Sequence, residues 1–212
     1  MTPAPWASVS SFAEAKEAAA GADIARRAAC GEALLRQPPS TWREESLRLL
    51  LTRALADGDE SEAARLAAAL PSAVVREERL VLQAGHDPVN ALAAAAQFGL
   101  SARAWRRLLW TGASTLRDAD PMTRDLVAGA LCAALEHLPA AVAFLEAVNL
   151  ARCFADELGV DVFHLMALGT TRGLSDAATA DLLLAVGAAL AARGATAEAA
   201  ALNVEAVRLA GP

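Results

Sequence analysis

Residues 41–71 read TWREESLRLLLTRALADGDESEAARLAAALP, and this stretch decides the fold. Leu47, Leu50, Leu51, Ala54 and Leu55 recur at i, i+3, i+4, i+7 and i+8, the apolar stripe of a helix buried along one side. Thr41 and Glu44 stand at the spacing of a capping box at its start. Asp57, Gly58 and Asp59 then turn the chain. Ala63, Leu66, Ala67 and Leu70 repeat the stripe until Pro71 stops it, because a proline lacks the N–H that a helix interior needs. Two amphipathic helices joined by a tight turn make a helical hairpin.

The same punctuation runs outward in both directions. A first helical region spans about Ser11 to Arg36, with Gly21 as a weak point, and ends before Pro38 and Pro39. After Pro71, Ser72 caps a segment to Ala84, and Asp87 with Pro88 opens one that closes at Gly99. Ser101 caps a basic helix to about Trp110. Asp120 with Pro121 starts a helix to His137, Pro139 starts another that ends near Gly159, and Ser175 caps an apolar one to Arg193. Ala195 to Ala210 is the last. Val160 to Leu168 is helical by context and a strand only if read alone. The spacing predicts an all-α fold, an irregular α-solenoid or antiparallel helical bundle of about 8–10 helices. Residues 1–9 read as a flexible lead and 10–212 as a single helical domain with a soft boundary near 112–120. Residues 177–192 are so uniformly apolar that burial on most sides is expected.

Composition agrees with the punctuation. Of 212 residues 55% are apolar, alanine dominates, aromatics are 4% and tyrosine is absent. Alanine orders into a helix with no side-chain entropy loss, and its small size lets helices approach closely. No polar–apolar alternation of strand length occurs. The longest charge-free apolar runs fall well short of the ~20 residues that a bilayer requires. The N-terminus lacks a basic patch followed by an apolar run, so no secretory signal is expected. Cys30, Cys132 and Cys153 sit in apolar helical contexts without metal or redox spacing, which fits a reducing cytoplasm. The net charge of −6 argues against nucleic-acid binding by the surface as a whole.

The C-terminal hairpin resembles a tetratricopeptide repeat. Leu183, Val186, Gly187 and Leu190 fall at the offsets of that family's first helix, Gly194 at its turn, and Ala199 and Ala206 at the small positions of its second helix. Asn203 replaces the usual aromatic, and the terminal proline is displaced by one residue to Pro212. The fragment from Gly58 to Ala63 echoes that from Gly194 to Ala199, 136 residues later, four times the family's 34-residue period. Leu92, Leu126 and Val160 occupy the registers between, so the resemblance implies an irregular helical array with a tetratricopeptide-like end.

Catalytic chemistry is scarce. The chain has three histidines, no Gly-rich phosphate loop, no nucleophile elbow, no His-Glu-x-x-His and no zinc-type cysteine pair. Asp161 and His164, with Glu157 nearby, form the one grouping with metal-ligand spacing, and a packed histidine accounts for it more simply. His137 and Cys132 point away from each other on a helix, and Cys153 keeps acidic company that argues against a reactive thiol. No catalytic, metal or cofactor residue is assigned.

One stretch stands apart. From Pro88 to Arg117 there are four arginines and no acid. Arg103, Arg106, Arg107 and Trp110 share a helix face by their 0, 3, 4, 7 spacing, and Trp105, Leu108 and Leu109 take the opposite one. Residues 91–108 also resemble the helix-turn-helix of bacterial transcription regulators. Ala95 and Gly99 match the small residue and turn glycine, Phe98 and Leu100 flank the turn, and the resemblance implies that the segment from Ser101 to Leu108 is the recognition helix. Trp105 departs from the smaller β-branched residue usual there.

The sequence therefore points first to a non-enzymatic protein–protein interaction module, an adaptor, chaperone or assembly subunit of a bacterial cytoplasm. It would bind a partner with an acidic surface or peptide through Arg103, Arg106, Arg107 and Trp110. The alternative is a DNA-binding regulator using a helix-turn-helix around residues 91–110. Third is an enzyme whose site is not visible in sequence. No membrane partner and no cofactor is expected.

Overall fold

The structure is a computed structural model that describes residues 11–154, 157–158, 174–192 and 194–211. Eleven α-helices and one 3-10 turn make up the described residues, which contain no strand. The flexible lead assigned to residues 1–9, the ambiguous segment Val160 to Leu168 and the Asp161–His164 grouping lie outside them. No described helix is long and apolar enough to cross a membrane.

The chain divides into two compact units, residues 1–82 and 83–212. The division falls at residue 82 and not near 112–120, where Gly112 is closely packed. A Cβ placed on Gly112 would lie 3.2 Å from the Pro88 Cβ and 3.6 Å from a Leu131 methyl.

The first unit holds α1 (Phe12–Ala20), α2 (Ile24–Leu35), α3 (Thr41–Ala56), α4 (Glu60–Ala67) and most of α5 (Ser72–Ala84). The region expected as one helix from Ser11 is two, which takes the count past the expected 8–10. Gly21 leaves the helical region with ψ near 156°, and Asp23 restarts the chain by accepting from the Arg26 N–H. Arg27 then fixes the break, donating to the Gly21 carbonyl at 2.7 Å and to Asp57 at 2.5 Å. The N-cap of α3 is Ser40 and not Thr41. Ser40 is extended after the two prolines, and its hydroxyl accepts from the Arg43 N–H at 3.3 Å. The stripe Leu47, Leu50, Leu51, Ala54 is buried against Ala15, Leu34 and Leu66.

The second unit holds α6 (Pro88–Ala95), α7 (Ala102–Ser114) with its 3-10 turn Thr115–Arg117, α8 (Pro121–Leu135), α9 (Ala140–Cys153), α10 (Asp176–Ala192) and α11 (Thr196–Ala210). Helices α6, α7 and α8 pack on one another, α7 and α8 both touch α9, and α10 packs on α9 and α11. The expectation that 177–192 is buried on most sides is corrected. Leu182, Leu183, Val186, Gly187 and Leu190 are buried, but Leu184 is 46% exposed and Ala177, Ala188, Ala191 and Ala192 are exposed. Its polar residues, Asp176, Thr179 and Asp181, all lie in the first two turns, so over the rest periodicity has nothing to register and the outer face could not be read.

Gly58 and Gly194 adopt the same turn. Both have positive φ, 72° and 84°, a region that only glycine enters freely. The residue after each glycine donates back five positions, Asp59 to the Ala54 carbonyl at 2.9 Å and Ala195 to the Leu190 carbonyl at 3.1 Å. The fragment repeated in the sequence is thus one helix-ending motif used twice.

Candidate functional site

The basic face of α7 is built from both sides. Ser101 caps the helix by accepting from the Ala104 N–H at 3.2 Å. Ala104, Trp105, Leu108 and Leu109 are buried, and Trp105 lies flat on the His137 ring with centroids 4.6 Å apart. That contact sets the rotation of α7 and turns residues 103, 106, 107 and 110 away from the core.

These four residues do not all project into solvent as unpaired groups. Arg106 donates through Nε to Glu146 Oε1 at 2.6 Å, and Trp110 donates through Nε1 to Glu146 Oε2 at 2.6 Å. Glu146 comes from α9 and is 1% exposed, whereas the Arg106 side chain is 55% exposed. One buried carboxylate therefore holds both side chains in fixed rotamers, each of its oxygens satisfied by one donor. Trp110 is half-buried and tilts against buried Phe154, with ring centroids 6.0 Å apart. Arg117 covers the same phenyl ring at 5.4 Å. Arg103 is exposed and Arg107 half-buried, and each has an interaction of its own.

Glu146 is the residue that sequence reasoning missed. Its signal was present: it lies on the face of α9 that carries Ala143, Ala147 and Leu150, all buried. A lone acid on an apolar stripe has to find an internal donor, since an unpaired buried carboxylate is too costly to keep.

The helix-turn-helix glycine is not used as that motif uses it. Gly99 is not among the glycines of positive φ, and nothing lies within 4 Å of a Cβ built on it. Helix α6 ends at Ala95, four residues before it.

Elsewhere the first unit buries a second polar cluster. Arg48 donates through Nε to Glu78 and through Nη2 to Glu77 at 2.7 Å, while the Thr52 hydroxyl donates to Glu78 at 2.6 Å. Burial lowers the Arg48 pKa, but the hydrogen bonds and charges of the two glutamates prevail and raise it. This cluster joins α3 to α5 through fully engaged groups. No group of three or more His, Cys, Asp or Glu among the described residues could hold a metal ion. Burial, with help from Glu136, pushes the Cys132 thiol up to about 12; burial also raises Cys30.

No protein-family model matches the chain, nor does any curated protein or solved structure. The reading of function rests on the geometry.

Proposed function

We propose that this chain is a non-enzymatic protein–protein interaction module, an adaptor, chaperone or assembly subunit of a bacterial cytoplasm, whose α7 face anchors an acidic surface or peptide. The observation that carries the reading is the double engagement of Glu146. Arg106 and Trp110 are held in place before any partner arrives, so binding loses little side-chain entropy there. Arg106 commits its Nε to Glu146, and its side chain is more than half exposed. Arginine and tryptophan on a half-buried, pre-ordered face are the residues that dominate interface energies.

The same helix read as a DNA-recognition helix is less well supported. The turn before α7 lacks the strained glycine of the motif.

The test uses Arg103→Gln combined with Arg107→Gln, which leaves the Arg106–Glu146–Trp110 unit in place. Binding of a fluorescent glutamate-rich peptide to the full chain is followed by anisotropy. The wild type should bind with modest salt dependence and the double variant roughly tenfold more weakly. Equal binding by the two proteins would contradict the proposal.

A further inference from the structure

Within the second unit, a polar cleft of about 400 Å³ opens where α7 ends and α6 and α8 begin, a size within the ~300–1,000 Å³ range of small-molecule sites. Its walls are His86 and Pro88 at the entry to α6, Ser114 and Thr115 where α7 passes into the 3-10 turn, Asp118 after that turn, and Thr123 in the first turn of α8. These walls are tied together beneath the surface. Gly112 lets α7 lie close against Pro88, Leu116 is fully buried, and Arg124 of α8 donates to the Leu116 carbonyl at 3.0 Å. The cleft is therefore formed before anything enters it.

The side chains that line it are one-sided in their chemistry. A hydroxyl has a single hydrogen, and all three hydroxyls here spend theirs inside the chain. Ser114 donates to the Thr111 carbonyl at 2.7 Å, Thr115 to the Gly112 carbonyl at 2.7 Å, and Thr123 to Asp120 Oδ2 at 2.6 Å. Each oxygen keeps lone pairs and has no proton left to offer. Asp118 adds a carboxylate, which only accepts; it is exposed, and its side chain has no hydrogen bond or ion pair with the described residues. His86 is the one lining side chain with an N–H to give. The arginines of this region are held elsewhere, Arg124 on the carbonyls of Leu116 and Arg117, and Arg117 over the Phe154 ring.

We propose that this cleft binds a small organic cation, an aliphatic primary ammonium compound that also carries hydroxyls. Its ammonium group pairs with Asp118, and its remaining N–H and O–H donors reach the oxygens of Ser114, Thr115 and Thr123. A metal ion fits less well, because Asp118 is the one carboxylate in the lining and no group of three or more His, Cys, Asp or Glu stands among the described residues. The site shares no residue with the basic face of α7 and stands apart from that reading.

The test titrates the full chain by calorimetry with glucamine, sorbitol and gluconate. These probes share one polyol chain and end it in an ammonium, a hydroxyl and a carboxylate. Glucamine should bind at least roughly tenfold more tightly than sorbitol, and gluconate should not bind. Asp118→Asn keeps the shape and removes the charge, so it should retain the wild-type thermal midpoint and bring glucamine down to the affinity of sorbitol. Ser114→Ala, at an exposed position, should weaken glucamine and sorbitol alike, by roughly threefold. Failure of glucamine to bind, gluconate binding as tightly, a folded Asp118→Asn that binds glucamine as the wild type, or wild-type binding by Ser114→Ala would each overturn the proposal. So would calcium displacing glucamine at equal concentration, which would make the cleft a metal site.

Discussion

At the scale of single residues, the deciding chemistry is the pairing of Arg106 and Trp110 with one buried glutamate. Reversing the charge of Arg106 sets two carboxylates against each other, one of them buried. Arg106→Glu should therefore lower folding stability by about 1–3 kcal/mol in a urea titration, although the position is more than half exposed. An unchanged midpoint would mean that Glu146 is satisfied without it. The thiols give a second residue-scale prediction. Cys132 has a folded pKa of about 12 against an ordinary value of 9.0. A raised pKa means that the folded protein holds the proton more tightly than the unfolded chain. The resulting stabilisation is complete below about pH 9 and is lost as the pH rises toward 12. Between about pH 8 and pH 10 the wild type should lose stability more steeply than Cys132→Ala. Parallel curves would place Cys132 in contact with water.

At the scale of the element, helix ends and helix crossings carry the information. The sequence stripe located the body of α3 correctly, but its capping residue was read one position late. Ser40 takes the extended backbone of an N-cap with its hydroxyl aimed at the Arg43 N–H, and since Ser40 and Thr41 are both good caps, spacing alone does not say which is used. Ser40→Ala should cost about 1 kcal/mol and Thr41→Ala much less, measured by thermal unfolding. The reverse order would restore the cap to Thr41. The crossing of α10 and α11 was legible through Gly187. A Cβ there would lie 2.7 Å from the Asn203 side-chain oxygen and 3.4 Å from the Ala199 carbonyl oxygen. Asn203 is exposed and can swing aside, but the backbone oxygen cannot. Gly187→Leu should then cost on the order of 1–3 kcal/mol. A thermal midpoint equal to the wild type would show the two helices to be less closely nested.

At the scale of the whole molecule, the helical class was legible because prolines, glycines and capping residues punctuate the chain at short intervals, as at Asp87–Pro88 and Asp120–Pro121. The division at residue 82 was not, since no composition shift or glycine-rich linker marks it. The basic face was visible in the spacing of Arg103, Arg106, Arg107 and Trp110. The carboxylate that orders it was not, because Glu146 lies forty residues from Arg106 in the chain. Contacts between distant segments leave only an indirect trace in sequence, here one acid on an apolar stripe. The most direct measurement follows the anisotropy of a glutamate-rich peptide and of a duplex DNA of mixed sequence, each titrated with the full chain over a range of salt concentrations. A protein-interaction module should bind the peptide, with binding reduced in Arg103→Gln/Arg107→Gln, and leave the DNA free at physiological salt. Tight DNA binding whose affinity falls steeply with salt, as several phosphate contacts require, would contradict the account.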